Sequence, residues 1–187
     1  MKQFLLIFSV FIVFISSDIF PQSKIKLNKR IVIEGSYINN IGKFNDTWST
    51  AAGGYISYGI TVTEFYHLYF RSGFIKNKLV KNITADEGSL VEIPIEIGVK
   101  YYFWDEEIMP YVQFVNGLNL VFENLNLRRE HKKSTLIKYI WQVGGGITYS
   151  LTDIVLLDFS ANYQSNFYQT DAMNTGFEFT FGVGLMF

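Results

Sequence analysis

The chain has 187 residues, a formal net charge of -1, 18% aromatic residues and no cysteine. The lack of cysteine excludes disulfides, thiolate metal sites and lipid attachment at a terminal cysteine. The near-zero charge offers no global field for nucleic acid.

Met1-Lys2-Gln3 precedes an apolar run from Phe4 to Ile15 and the small pair Ser16-Ser17. A positive start, a short apolar stretch and small residues are the pattern of a secretory signal. The run is shorter than the roughly 20 apolar residues a membrane-spanning helix needs. Residues 1–21 are therefore expected to be a cleaved signal peptide, with the cut between Ser17 and Ser23, and 22–187 one β-barrel domain. No later apolar run is long enough for a helical span; hydrophobicity instead alternates residue by residue, as in strands with two unlike faces.

The first strand is expected over Arg30 to Ile38, with Ile31, Ile33 and Tyr37 on one face and Glu34 and Ser36 on the other. A polar loop over 39–49 leads to a second strand, Thr50 to Thr61, where Ile56, Tyr58 and Ile60 oppose Gly53, Tyr55, Ser57 and Gly59. After a short connection the third strand, Phe65 to Ile75, sets Tyr66, Leu68, Phe70 and Phe74 against His67, Tyr69, Arg71 and Gly73. A loop over 76–89 precedes the fourth, Leu90 to Phe103, which sets Val91, Ile93, Ile95, Ile97, Val99 and Tyr101 against Glu92, Pro94, Glu96, Gly98 and Lys100.

The fifth strand, Met109 to Glu123, carries Val112, Phe114, Leu118, Leu120 and Phe122 outward; Asn116 interrupts that face and suggests a bulge. A loop over 124–134 follows. The sixth strand, Thr135 to Tyr149, has Ile137, Tyr139, Trp141, Val143, Ile147 and Tyr149 outward and contains Gly144-Gly145-Gly146, which suit barrel curvature and close inner packing. A tight turn at Leu151-Thr152-Asp153 leads to the seventh, Ile154 to Gln164, with Val155, Leu157, Phe159 and Tyr163 outward, and then a loop over 165–174. The last segment alternates Phe177, Phe179, Phe181, Val183, Leu185 and Phe187 with Glu178, Thr180, Gly182, Gly184 and Met186.

Eight such strands give an eight-stranded antiparallel up-and-down transmembrane β-barrel, with alternating long and short connections and both termini in the periplasm. A soluble eight-stranded barrel would turn its apolar residues inward around a ligand and show charges outside. Here one face is almost purely aliphatic and aromatic, and the other holds Gly, Ser, Thr and a few charges.

Leu90-Val91-Glu92-Ile93-Pro94-Ile95-Glu96-Ile97-Gly98-Val99-Lys100-Tyr101-Tyr102-Phe103, followed by Pro110-Tyr111 and Gly117, resembles small outer-membrane β-barrel proteins of the PorT-like group. Similarity to the membrane domain of OmpA is at the level of strand count. The resemblance implies an outer-membrane location and an eight-stranded barrel, and no particular activity. Phe187 resembles the terminal signal by which the barrel assembly machinery recognises its substrates.

The alternation sends Glu34, His67, Arg71, Glu92, Glu96, Lys100, Gln113, Lys138, Gln142, Asp158 and Glu178 inward. The expected polar network is Glu34, Arg71, Glu92, Glu96, Lys100, Lys138, Asp158 and Glu178, with Arg71, Lys100 and Lys138 as candidate partners of Glu178. Such a barrel is just wide enough for side chains to fill it. A packed ion-pair network is therefore expected ahead of a narrow polar path. Arg128, Arg129, Lys132 and Lys133 form a basic cluster expected in an outer loop, first of all as a solvated loop tip and otherwise as a surface able to meet lipopolysaccharide phosphates or an acidic partner. The two histidines, His67 and His131, have no nucleophile motif, and His131 lies near Ser134 only in sequence. No catalytic, cofactor-binding or metal-binding residues are expected. The reading is a monomeric, non-enzymatic outer-membrane barrel with a structural or interaction role, contacting outer-membrane lipid. The alternatives are a narrow pore or a component of a secretion or transport assembly and, after these, a lipid-modifying barrel enzyme.

Overall fold

The computed structural model describes residues 29–80, 85–127, 130–167 and 174–187, with side chains omitted at 85–87, 125–127 and 130–133. The expected signal peptide lies outside the described residues. Eight strands run in order: β1 (Lys29–Ile41), β2 (Trp48–Thr61), β3 (Tyr66–Leu79), β4 (Ala85–Tyr102), β5 (Ile108–Leu127), β6 (Glu130–Ser150), β7 (Val155–Phe167) and β8 (Asn174–Met186). Each pairs antiparallel with its sequence neighbours, and β8 returns to β1, closing the barrel. Closure leaves no open edge along the paired length.

The period-two pattern has a simple physical origin here. Burial alternates strictly along most of β1, with Val32, Glu34 and Ser36 inside and Ile33 and Tyr37 exposed. The outer face of β8 is Phe177, Phe179, Phe181, Val183 and Leu185, all exposed, while Glu178 and Thr180 are buried. The barrel is inside-out relative to a water-soluble one: its polar groups face the lumen and its apolar side chains face outward.

One end carries the start of β1, the carboxyl-terminal Phe187 and the turns after β2, β4 and β6. Lys29 and Phe187 exchange backbone hydrogen bonds of 2.9 and 3.0 Å there. Two of these turns use the same device. The Thr63 hydroxyl accepts from the backbone N–H groups of Phe65 and Tyr66, and the Thr152 hydroxyl accepts from those of Ile154 and Val155. A threonine hydroxyl three residues before the next strand satisfies turn donors that no ladder reaches.

The far end differs from the sequence expectation. The segments 39–49, 76–89, 124–134 and 165–174 are not wholly loops. β1 continues to Ile41, β3 to Leu79, β5 to Leu127 and β7 to Phe167, and β4 begins at Ala85 and β6 at Glu130. The connection between β5 and β6 is only 128–129, so connection length does not alternate between long and short. Residues 39–49 are mostly strand and a 3-10 turn, Gly42–Asp46, entered through Gly42 at φ 69°. β4, β5 and β6 reach 18, 20 and 21 residues, against 13 or 14 for the others. Ladder hydrogen bonds carry these strands past the point where the apolar pattern ends.

The bulge expected at Asn116 is absent. Its pairing is continuous, to Ile97 on β4 and Trp141 on β6. Asn116 stays on the outer face and donates a side-chain hydrogen bond to the Tyr139 hydroxyl, which accommodates a polar amide without a change of register. The inward glycines of β6 do create room. A Cβ on Gly144 would collide with the Ala161 carbonyl and the Asn162 side chain, and one on Gly146 with the Phe159 carbonyl and the Tyr111 ring.

Candidate functional site

The lumen holds the molecule's polar chemistry. Among the described residues its buried charged side chains are Arg30, Glu34, Arg71, Glu92, Glu96, Lys100, Lys138, Asp158 and Glu178. A charge removed from water needs a partner or a full set of hydrogen bonds; the lumen arranges such partners in three layers, leaving Arg30 Nε without one among these residues.

The middle layer is centred on Arg71 of β3. Its Nε lies 2.5 Å from Glu96 Oε2, its Nη2 3.2 Å from Glu178 Oε2, and its Nη1 3.6 Å from Glu34 Oε2. Nη2 also donates to Gln142 Oε1 at 2.7 Å, and the guanidinium stands 4.1 Å from the Tyr55 ring centroid. Glu178 Oε1 accepts from Ser36 and Tyr55 hydroxyls, both at 2.7 Å. A planar guanidinium suits this position because its donors point in fixed directions toward several acceptors at once.

The layer toward the termini pairs Lys100 with Asp158 at 2.7 Å. Asp158 accepts further bonds of 2.7 Å from the Tyr111 and Thr148 hydroxyls. Lys100 Nζ lies 4.2 Å from the Tyr111 ring centroid. Nearer the mouth, Arg30 donates to the Tyr102 hydroxyl at 2.8 Å. Arg30 is absent from the expected network because it stands at the expected start of the first strand; its even phase with Val32 and Glu34 is the available signal. Tyr102, Met109 and Tyr111 cluster at this end.

The layer toward the far end holds Glu92, which accepts from Asn77 Nδ2 at 2.7 Å and from Asn119 Nδ2. Above it, Phe44 of the 3-10 turn folds inward on Trp48, Leu90 and Val121. Lys138 Nζ lies 5.6 Å from the Phe44 ring centroid. This apolar plug covers the polar column.

The structure therefore places every side chain of the expected network in the lumen but rearranges its partnerships. Of the three cations expected near Glu178, only Arg71 bonds it; Lys100 goes to Asp158, and Lys138 sits beside the plug. Asparagines, glutamines and tyrosines complete the network, such as Asn162 bonded by Gln113 at 2.7 Å. Most of them are missing from the sequence expectation, because uncharged inward residues carry no signal beyond their phase. A small cavity of about 10 Å³ lies among Arg30, Glu34, His67, Lys100 and Asp158. That is about the space of one water.

His67 is buried at the terminal end, with Nδ1 3.5 Å from the Thr61 hydroxyl. The side chain of His131 lies outside the described residues, so its proximity to Ser134 is not placed. Of the expected basic loop, Arg128 and Arg129 lie outside the described residues. Lys132 and Lys133 belong to β6 and not to a loop, and their side chains are among those omitted.

No protein family and no curated protein matches the chain. Solved structures do. The chain is similar to Neisserial surface protein A, with 19% identity over 85% of this chain and 97% of that one, at a TM-score of 0.61. It is similar to Ail, the attachment invasion locus protein of Yersinia pestis, in a complex with the heparin analogue sucrose octasulfate, with 13% identity over 87% and 100% of the two chains and a TM-score of 0.61. It is also similar to the outer membrane protein OprG of Pseudomonas aeruginosa, with 11% identity over 86% and 96% and a TM-score of 0.58. At these identities the likeness is one of fold, and the fold is the closed eight-stranded antiparallel barrel of small outer-membrane proteins.

Proposed function

We propose that the protein is an outer-membrane β-barrel with a non-enzymatic structural or interaction role, exported by a cleaved signal peptide and presenting its far end outside the cell. The observation that carries this reading is the inversion of polarity. A closed barrel whose outward face is Ile33, Phe70, Ile97, Leu118 and Phe181 is soluble only in lipid. The outer-membrane barrels it resembles in fold support the location. Even strand number puts both termini on one side, which for such barrels is the periplasm, and leaves the β5–β6 tip outside. The basic run of Arg128, Arg129, Lys132 and Lys133 in the sequence would meet lipopolysaccharide phosphates or an acidic partner. Phe187 would serve the assembly machinery. The PorT-like resemblance of residues 90–103 supports the same location and leaves membership of an envelope assembly open to test.

The three bonded layers and the plug of Phe44 and Trp48 favour a filled lumen over a pore. The test is fractionation together with planar-bilayer recording of the purified protein. Recovery in the outer membrane without steady unitary currents is expected. A soluble periplasmic protein overturns the location, and steady currents overturn the filled lumen.

A further inference from the structure

The apolar outer face is not of equal height around the barrel. On β5 it runs from Ile108 to Phe122, interrupted only by Asn116, and on β6 from Ile137 to Tyr149. On β1 it runs from Ile31 to Ile41, interrupted by Asn39, and on β3 from Tyr66 to Phe74, interrupted by Ser72. At about 3.4 Å per residue and a tilt of roughly 40°, these spans stand about 36 and 31 Å tall on β5 and β6, against about 26 and 21 Å on β1 and β3. An outer-membrane barrel needs an apolar band of about 25 Å. One wall overshoots it.

The overshoot points away from the termini. An aromatic belt crosses β6, β7 and β8, with Trp141–Tyr163 and Tyr163–Phe177 ring centroids 5.8 and 5.7 Å apart. Beyond it on β5 and β6 lie Leu118, Leu120, Phe122 and Ile137, with Leu118 50% and Ile137 67% exposed. Cross-strand pairing joins them into one patch: Ile93 faces Leu120, Leu120 faces Ile137, and Val91 faces Phe122. The opposite neighbour of Val91, on β3, is Lys76. Lys76 and Lys78 are exposed on the outer face of β3, above Phe74, and neither forms an ion pair among the described residues.

An apolar wall bordered by two outward ammonium groups has the polarity of an anionic lipid: acyl chains on the wall, a phosphorylated headgroup at the lysines. We infer that the β4–β6 wall and Lys76 with Lys78 form a site that selects an anionic, acylated lipid in the leaflet at the far end. The inference rests on the membrane reading above. The charge at the patch edge favours a lipid over a second copy of the chain, whose matching patch would bring the same lysines together.

The test uses Phe122→Trp as a reporter in the full protein carrying Trp104→Phe and Trp141→Phe; Trp48, 2% exposed inside the plug, is shielded from lipid. The reconstituted protein is titrated with brominated phosphatidylglycerol and, separately, brominated phosphatidylcholine in phosphatidylcholine vesicles. Quenching should report a ~3- to 10-fold preference for the anionic lipid, as expected for two lysines near a surface at moderate salt. The preference should fall to near unity in the reporter carrying Lys76→Gln and Lys78→Gln. Equal quenching by both lipids, or a preference unchanged by the double substitution, overturns the site while leaving the membrane reading intact. A reporter shielded from both lipids, with concentration-dependent cross-linking through the wall, overturns it in favour of a second copy. Failure to enter vesicles at all overturns the membrane reading and the site together.

Discussion

Replacing Arg71 with methionine is the sharpest probe of the lumen. The substitution keeps an unbranched chain of similar length and removes the one cation bonded to Glu34, Glu96 and Glu178. The three carboxylates are then left unequally. Glu178 retains the Ser36 and Tyr55 hydroxyls, Glu34 retains Ser57 at 3.3 Å, and Glu96 retains only the Gln142 amide at 3.3 Å. Lys100 cannot substitute, because it is committed to Asp158. Breaking a buried pair by removing one partner costs about 3–5 kcal/mol, and the loss here should fall in that range. The assay is equilibrium unfolding by urea in phosphatidylcholine vesicles, followed by the mobility difference between folded and heated protein. Adding Glu96→Gln and Glu178→Gln to Arg71→Met should recover at least half of the loss, since uncharged residues do not carry the desolvation penalty of an orphaned carboxylate. A single substitution within about 1 kcal/mol of the wild type, or a triple no more stable than the single, would refute the reasoning.

The remaining expectations use the same unfolding assay. Gly146→Ala drives a Cβ onto the Phe159 carbonyl and the Tyr111 ring and should cost about 1–3 kcal/mol. Gly35→Ala, whose nearest contact is 3.9 Å, should stay within about 0.5 kcal/mol. Asn116 and Asn119 lie on opposite faces of β5: Asn116→Leu should change stability by less than about 1 kcal/mol in lipid, the usual worth of a polar contact there. Asn119→Leu removes a donor from buried Glu92 and should cost about 1.5–3 kcal/mol. Phe44→Ala empties the centre of the plug and should cost about 3 kcal/mol, the lower end for a buried phenylalanine.

The face of each strand was legible in the sequence because lipid and lumen impose opposite chemistry on alternate residues. Ile95 and Ile97 against Glu96 leaves one reading. Strand ends were not legible, for the same reason. Beyond the lipid the outer face need not be apolar, so Asn124 and Ser134 have the composition of a loop. The ladder nevertheless runs on, pairing Asn124 with Lys133 and Glu123 with Ser134. Partners within the lumen were hidden differently. Lys100 and Asp158 are 58 residues apart on strands β4 and β7, which are not neighbours in the sheet, and only the stagger of the closed barrel brings them to 2.7 Å. Composition supplied the charged lining but not which carboxylate each cation would meet.

That stagger gives the lumen charges a role beyond filling space. All eight strands contribute to the network: Glu34 and Ser36 from β1, Tyr55 from β2, Arg71 from β3, Glu96 and Lys100 from β4, Tyr111 and Gln113 from β5, Gln142 from β6, Asp158 and Asn162 from β7, and Glu178 from β8. On the outer face a slip of two residues would exchange one aliphatic side chain for another at little cost. In the lumen the same slip carries Arg71 about 6.8 Å along its strand, past the reach of its three carboxylates. A lipid-facing surface of interchangeable apolar residues specifies register weakly, and the buried ion pairs specify it strongly. Buried charges that contribute little net stability can thus still select one closed register over its neighbours.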